Sequence, residues 1–280
     1  MVAIKQMNWG IKMLDQIRYS FMVHIHDRRL RLVGILLIVA LLGLCGVISF
    51  LVSSGYNGSA IEDVSYSYMY SFSGRVGYVF PLIVSALVVS SEFRSGQIAR
   101  SIIGYGSRTR AFLASTVSGT TIGFFSGIVL LTAAYGITSA MVVISGHRLE
   151  LFENNYFPMY LRTVLLMALW AWLGAGLAWL FKNQTVVIAG VLAFAVFIEP
   201  TVSAAGNASD TVMSIVRWLP GPLNWSIAWP TTVGSGEIQR AIGLEWWQSG
   251  AIMLFYAVAL AAVTYVFGCK WRDFPPSASK

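Results

Sequence analysis

The chain has 280 residues, 56% of them hydrophobic and only 11% charged, with a mean hydropathy of +0.68. An ordinary soluble domain carries about 25% charged residues, so this chain lacks the charge to cover a globular surface, and membrane is its expected surrounding. The formal net charge of +7 requires no nucleic acid, because positive-inside topology and anionic lipid account for it.

Residues 1–31 come first. Ile4, Met7, Ile11, Leu14, Ile17, Phe21 and Ile25 recur at spacings of three and four, with Lys12, Gln16 and Tyr19 largely off that stripe. This predicts an amphipathic helix in the cytoplasmic interface, its stripe toward lipid or toward the bundle. Asp27-Arg28-Arg29 then turns the chain toward the membrane. The first span is 32–52, 21 residues without charge, and it starts too late for a signal peptide. Cys45 lies inside it, and Cys269 ends another apolar run. Both read as small buried residues rather than a disulfide framework.

An outer loop, 53–73, is rich in Ser and Tyr. The second span, 74–91, has its apolar core from Val76 to Ser91 and extends back through Tyr70 if Arg75 lies near the outer interface. A cytoplasmic connector, 92–110, leads to the third span, 111–135. A second outer loop, 136–162, holds His147, Arg148, Glu150 and Glu153. The fourth span is 163–181, and the fifth, 185–205, encloses Glu199. An outer helical stretch, 206–249, a sixth span, 250–268, and a tail, 269–280, complete the chain. Most of these runs meet the need of about 20 apolar residues for a bilayer-crossing helix, so the expected fold is an all-α membrane protein with six transmembrane helices.

Six crossings put both termini on one side. Residues 1–31, the connector, Lys182 and the tail from Lys270 hold 14 of the 19 Lys and Arg residues against four acids, while the other side holds five basic residues and eight acids. Positive charge stays inside, so both termini are expected in the cytoplasm of a cell whose cytoplasmic membrane this chain crosses.

In the last outer stretch, Asp210 to Leu219 reads as a short helix ended by Pro220-Gly221, and a second short helix is expected from Glu237 to Trp247. Trp218, Trp225, Trp229, Trp246 and Trp247 gather here. Tryptophan favours the headgroup level, so these pieces are expected as re-entrant helices dipping into the outer interface. They serve either as a lid over a lateral or outward exit or as simple anchors. Glu199 lies 14 residues into its span, about 21 Å deep at 1.5 Å per residue, with Pro200 next. It is either a polar contact in a substrate path or a helix cap at a wet edge.

Soluble-enzyme chemistry has little support. There is no HExxH, no Walker A loop and no GxGxxG following a strand. The GYGSRTR stretch lacks the lysine for phosphate binding, and Gly104 and Gly106 mark a helix end or turn. His24 and His26 are two apart and share no helix face. No metal site, no directly bound cofactor and no catalytic residue are expected, and without a nucleotide site the chain cannot drive transport from ATP alone.

The connector SEFRSGQIARSIIGYGSRTR, 91–110, then gains interest. A pore driven by a separate ATPase needs a short rigid knob tied to two spans. Glu92 at the bilayer boundary can pair with Arg94, Arg100 or a basic group of a partner. Ile98, Ile102 and Ile103 are apolar knobs, while Arg108 and Arg110 hold the next span at headgroup level. An ordinary positive-inside loop shares the same charge.

The order of amphipathic helix, span, outer loop, span and E-F-R-S-G-Q-I-A-R-S-I-I-G-Y-G-S-R-T-R resembles permease subunits of the ABC-2 family of ABC transporters, over most of the chain. Glu92, Gly96, Gln97, Ser107, Arg108 and Arg110 stand where that family has a glutamate, a small-residue pair with glycine and a basic pair. Gln97 replaces a common threonine, and the final outer loop is long. The resemblance implies that the connector is a coupling helix docking on ATPase subunits, which hold ATP and Mg. It implies a dimer of permease chains, meeting through first spans with fifth spans nearby, where Gly34, Gly43 and Gly46 permit close approach. Family substrates include antibiotics, peptides, lipids and polysaccharides. The alternatives are a non-transporting membrane sensor or assembly subunit, and a multispan enzyme with polar groups meeting at one depth.

Overall fold

The computed structural model describes residues 18, 22, 28–53, 63–146, 148–149, 151–152, 155–202, 210–229 and 243–270. The interfacial helix expected over 1–31 lies largely outside them, as do His24, His26, His147, Glu150, Glu153 and the tail after Lys270. Among the described residues every regular element is helical, and six helices are long and apolar enough to cross a bilayer. The chain is a multi-pass, all-α transmembrane protein.

The elements are α1 (Arg28–Ser53), α2 (Asp63–Gly77), α3 (Val79–Arg94), α4 (Gln97–Tyr105), α5 (Arg108–Ile144), α6 (Tyr156–Phe181), α7 (Gln184–Ala193), α8 (Asp210–Val216), α9 (Pro220–Ile227) and α10 (Trp246–Val263). A π-helical turn, Phe194–Ile198, continues α7, and another, Thr264–Lys270, continues α10. α2 and α3 form one span, Ser67–Arg94. They divide at Tyr78, where the ring of Pro81 conflicts with the carbonyl of residue 77. The spans alternate in direction, so one end of the bundle carries α4 and the other carries α8, α9 and the paired tryptophans 246 and 247. These are called the connector end and the aromatic end.

Several helices outrun their apolar runs. α2 takes in Asp63 to Ser73, α5 continues from 136 to Ile144, and α6 begins at Tyr156 rather than 163. Tyrosine and serine in these extensions are held by one another, which lets polar residues extend a span. Tyr70 stacks on Tyr156 at 4.9 Å, its hydroxyl pairs with Ser139 Oγ at 3.0 Å, and Ser67 Oγ meets Tyr156 Oη at 3.3 Å. Arg28 to Arg31 are already helical within α1 rather than a turn ahead of it.

The centre of the bundle is α3, packed by α5 on one side and α6 on the other. Burial covers 72% of the apolar window of Ser67–Arg94, against 12% for Gly34–Val52 and 17% for Gln184–Val202. Helices in lipid associate mainly through close van der Waals packing, which small residues permit. Gly119, Gly123 and Gly127 make one stripe on α5 facing α3. A Cβ on Gly119 would lie 2.6 Å from Val89 Cγ2, and one on Gly123 2.7 Å from the Pro81 carbonyl oxygen. In α6, a Cβ on Gly174 would overlap the carbonyl oxygen of Leu82. The glycines of α1 differ: nothing lies within 4 Å of a Cβ at Gly34 or Gly43, and Gly46 makes only an ordinary contact with Ile137. α1 instead packs on α5 through buried Cys45 and through Ser49, whose Oγ is 3.1 Å from Thr138 Oγ1.

Candidate functional site

At the aromatic end, a cavity of about 360 Å³ lies between α1, the α2–α3 span, α7 and α9. Apolar side chains make most of its wall, among them Leu41, Val76, Val79, Leu192 and Val196. Two charged residues also line it, Arg75 and Glu199.

Pro200 shapes the position of Glu199. Proline has no N–H, and its ring crowds the carbonyl four residues earlier, here that of Val196. The helix answers with the wider turn Phe194–Ile198, in which the Glu199 N–H bonds to the carbonyl of Phe194. The helix then continues to Val202, so Glu199 lies within it. Its side chain is 7% exposed and accepts a short hydrogen bond from the Tyr78 hydroxyl. Tyr78 stacks on Trp170 of α6, with ring centroids 4.2 Å apart and 26° between planes. The carboxylate also fills the space where Gly221 would carry a Cβ. Gly221 belongs to the first turn of α9, the end of a helix that favours negative charge.

The sequence suggested that Pro220-Gly221 stops a helix. It starts one instead: α8 ends at Val216, and Pro220 occupies the first turn of α9, where a missing N–H and a fixed φ suit a helix. α9 is sunk into the bundle. Leu223, Asn224 and Ala228 are fully buried. Asn224 donates through Nδ2 to the Gly74 carbonyl at 3.2 Å and accepts from Trp170 Nε1 at 2.9 Å.

Arg75 stands one turn before Tyr78 on the same face of the span. Its guanidinium lies 3.5 Å from the centre of the Trp225 ring and 5.3 Å from that of Tyr68. Among the described residues it has these ring partners but no hydrogen-bond acceptor. It and Glu199 attract one another through space.

The five tryptophans divide. Trp225 is half-buried over Arg75, and Trp229 is buried, its carbonyl accepting from Arg162 Nη2 at 3.1 Å. Trp218, Trp246 and Trp247 are exposed. Of the short helix expected from Glu237, residues 237–242 lie outside the described residues. Glu245 caps α10 in a capping box with Gln248, which makes Trp246 and Trp247 the first turn of the last span.

The connector end holds α4, and left-handed glycines bracket it: Gly96 at φ 68° and Gly106 at φ 64°. Gly104 lies inside the helix. Glu92 is completely buried, Gln97 and Ile98 are buried, and Ile102 is partly buried against the core. Arg94, Arg100, Arg108 and Arg110 are exposed, and Arg100 Nη2 donates to the Ser95 carbonyl at 3.2 Å. Of the three isoleucines, only Ile103 projects outward, at 83% exposure. The connector residues and the Glu199 group are therefore at opposite ends of the bundle.

Sequence reasoning singled out Glu199 and Pro200 but not Tyr78, Trp170 or Asn224, and it took Gly221 only for part of a helix stop. An arginine inside an otherwise apolar stretch was the available signal, since intramembrane charge marks function or a buried partner. No group of three or more His, Cys, Asp or Glu able to hold a metal occurs among the described residues.

The Tyr78–Glu199 bond yields a direct expectation. Glu199→Gln keeps an acceptor for the hydroxyl and should melt in detergent close to the native protein. Glu199→Leu strands the buried Tyr78 hydroxyl and should cost about 1–3 kcal/mol. Adding Tyr78→Phe to Glu199→Leu should restore part of that loss, and strictly additive single effects would show that the bond contributes nothing.

Comparisons with family models, curated proteins and solved structures find no match for this chain.

Proposed function

We propose that the chain is a permease subunit of an ATP-driven ABC transporter of the ABC-2 type. In this reading it works with a second permease chain, identical or related, and two ATPase subunits that hold ATP and Mg. It exports an amphipathic compound, peptide, lipid or glycan across a bacterial cytoplasmic membrane. The connector end faces the cytoplasm with both termini, and the aromatic end faces outward.

One observation carries this reading. α4 is a nine-residue helix fixed at both ends by left-handed glycines, rooted through Ile98 in the core, and presenting Arg100 and the bare side chain of Ile103 away from the bundle. A solvated loop between two spans gains nothing from an exposed isoleucine on a braced helix. A docking knob needs both, because slack between motor and span would absorb the stroke. The apolar outer face of α1 (Ile35, Leu36, Val39, Val47, Phe50) suits contact with a second permease chain, and that of α7 (Val196, Phe197) suits contact with lipid.

The test first looks for an ABC ATPase gene beside the gene for this chain, then co-expresses and co-purifies its product with the chain; no such ATPase, or none that co-purifies, would count against the reading. Ile103→Asp should weaken that association about tenfold or more, because a docked aspartate is desolvated without a partner. Bundle stability should barely change, since Ile103 touches little of its own chain. Gly96→Pro should uncouple ATP hydrolysis from transport. Proline cannot adopt φ 68°, and it removes the N–H that bonds to the Phe93 carbonyl at 3.2 Å. Unchanged association and coupling in both variants would instead favour the non-transporting sensor or assembly subunit.

A further inference from the structure

We propose that the cavity at the aromatic end is a binding site for an anionic amphiphile. Arg75 holds a phosphate or carboxylate head, and the hydrocarbon chain lies between α1 and α7. This deepens the transport reading by naming the ligand class of the site, yet it can be tested by binding alone.

Three observations lead here. First, the cavity's volume of about 360 Å³ falls in the range of small-ligand pockets, about 300–1,000 Å³. Its wall is mostly apolar, so a soluble polar ion by itself would leave most of that wall without a partner. Second, Arg75 is built in. Its guanidinium carbon lies 3.5 Å from the centre of the Trp225 ring and 5.3 Å from that of Tyr68, contacts that use ring faces and leave its N–H donors without an acceptor among the described residues. A planar fork of this kind matches the oxygens of a phosphate or carboxylate. The one acid on the wall is already engaged, because Glu199 accepts from Tyr78 and packs against Gly221. Glu199 therefore tempers the charge of Arg75 without occupying its donors.

Third, the cavity has a side door. α1 and α7 both pack on α3, and the cavity lies between them. Its wall residues Ala40, Leu192, Val196 and Pro200 are exposed. A chain can enter laterally from the bilayer while its head reaches Arg75. A cationic ligand would meet the arginine first and be repelled. A neutral one would leave the guanidinium unmatched in an apolar wall, where charge is expensive.

The experiment places the purified full chain in phosphatidylcholine nanodiscs doped with phosphatidic acid carrying a photoreactive diazirine in its acyl chain. Crosslinked peptides are then mapped by mass spectrometry. The native chain should label on α1 near Leu41 and on α7 near Leu192 and Val196. Arg75→Gln should lower that labelling about tenfold, the loss expected when a charged hydrogen bond worth about 1.5 kcal/mol is removed. Arg75→Lys should retain only part of it. Val196→Trp, which fills the chain path without touching Arg75, should also abolish labelling and keeps the test decisive if Arg75→Gln fails to fold. A phosphatidylcholine probe with the same acyl chain should label weakly and equally in all variants.

Equal labelling by the anionic and neutral probes in the native chain, or labelling unaffected by Arg75→Gln and Val196→Trp, would overturn the proposal. Displacement of the phosphatidic acid probe by millimolar inorganic phosphate would also overturn it, by identifying a soluble anion as the ligand. Because no ATPase is present, failure here leaves the coupling role of α4 standing, and failure of ATPase association leaves this site standing.

Discussion

Gly174→Ala is expected to leave little correctly folded protein in the membrane, although it adds a single methyl group. That methyl would fall on the carbonyl oxygen of Leu82, with the carbonyl carbon 2.9 Å away and Cα 3.0 Å away. All three atoms are backbone of α3, so no side chain can rotate aside. Relief requires α3 and α6 to separate, and their contact is the most extensive in the bundle. Overpacking of this kind costs about 3 kcal/mol or more when backbone must move. Packing supplies much of the association energy between helices in lipid, so little remains to offset it. Gly123→Ala, whose methyl would lie 2.7 Å from the Pro81 carbonyl oxygen, should behave similarly from the α5 side. Gly136→Ala is the control, because it lies in the same long helix with nothing within 4 Å. It should be neutral or slightly stabilising, as alanine favours helix over glycine. Thermal unfolding in detergent, read by retention of the monodisperse peak, separates these outcomes. Equal melting of the Gly174 and Gly136 variants would refute the close α3–α6 crossing.

Asn224→Leu should release α9 from the bundle. The amide is fully buried, accepts from the Trp170 indole N–H of α6 and donates to the Gly74 carbonyl of α2. Leucine has similar bulk but strands the indole N–H and removes the bond to Gly74. The stranded indole alone costs about 1–3 kcal/mol. The loss should be local to the aromatic end, because α9 is joined to the rest by these bonds and by Leu223 and Ile227 in the core. Hydrogen exchange should quicken over 220–229 far more than over α3. It should also dismantle the Arg75 site, since Trp225 rides on α9. Trp170→Phe removes one partner while keeping an aromatic ring against Tyr78. Combined with Asn224→Leu it should cost less than the sum of the two. Additive costs, or unchanged exchange over α9, would contradict this anchoring.

Six spans were legible because a bilayer imposes a length of about 20 apolar residues that no loop imitates. α4 was legible only in part: a short rigid piece was expected within 92–110 with Gly104 or Gly106 at its end, whereas the helix begins after Gly96, contains Gly104 and stops at Gly106, because Gly96 and Gly106 take the left-handed conformation that glycine tolerates. Helix ends were less so. Hydropathy cannot see that Tyr70 packs on both Tyr135 and Tyr156, or that the hydroxyls of Tyr70 and Tyr156 pair with Ser139 and Ser67, once α2, α5 and α6 are together, so the helices run past the apolar runs. The Pro-Gly pair at 220–221 fits two local rules, a stop or a first turn, and the structure uses Pro220 in a first turn. The stripe Gly119, Gly123 and Gly127 was present in the sequence as a four-residue repeat, while the glycines of α1 drew attention without a close neighbour to explain them.

By itself, then, the sequence determined the solvent, the six runs long and apolar enough to cross it, the charge asymmetry along the chain and the presence of a short connector after the second of them. Each of these depends on composition or on neighbours within one or two helical turns. The tertiary structure alone decided which polar residues meet. Arg75 reaches Trp225, Tyr78 reaches Glu199, and Asn224 joins Gly74 to Trp170 across separations of up to 150 residues. Periodicity assigns a residue to a face of its own helix. It does not say which helix lies opposite, and in a membrane lipid-facing and helix-facing surfaces are both largely apolar. Only the glycine contacts that bring α3 against α5 and α6, and the descent of α9 into the bundle, place an arginine, a glutamate and an open apolar cleft at one depth.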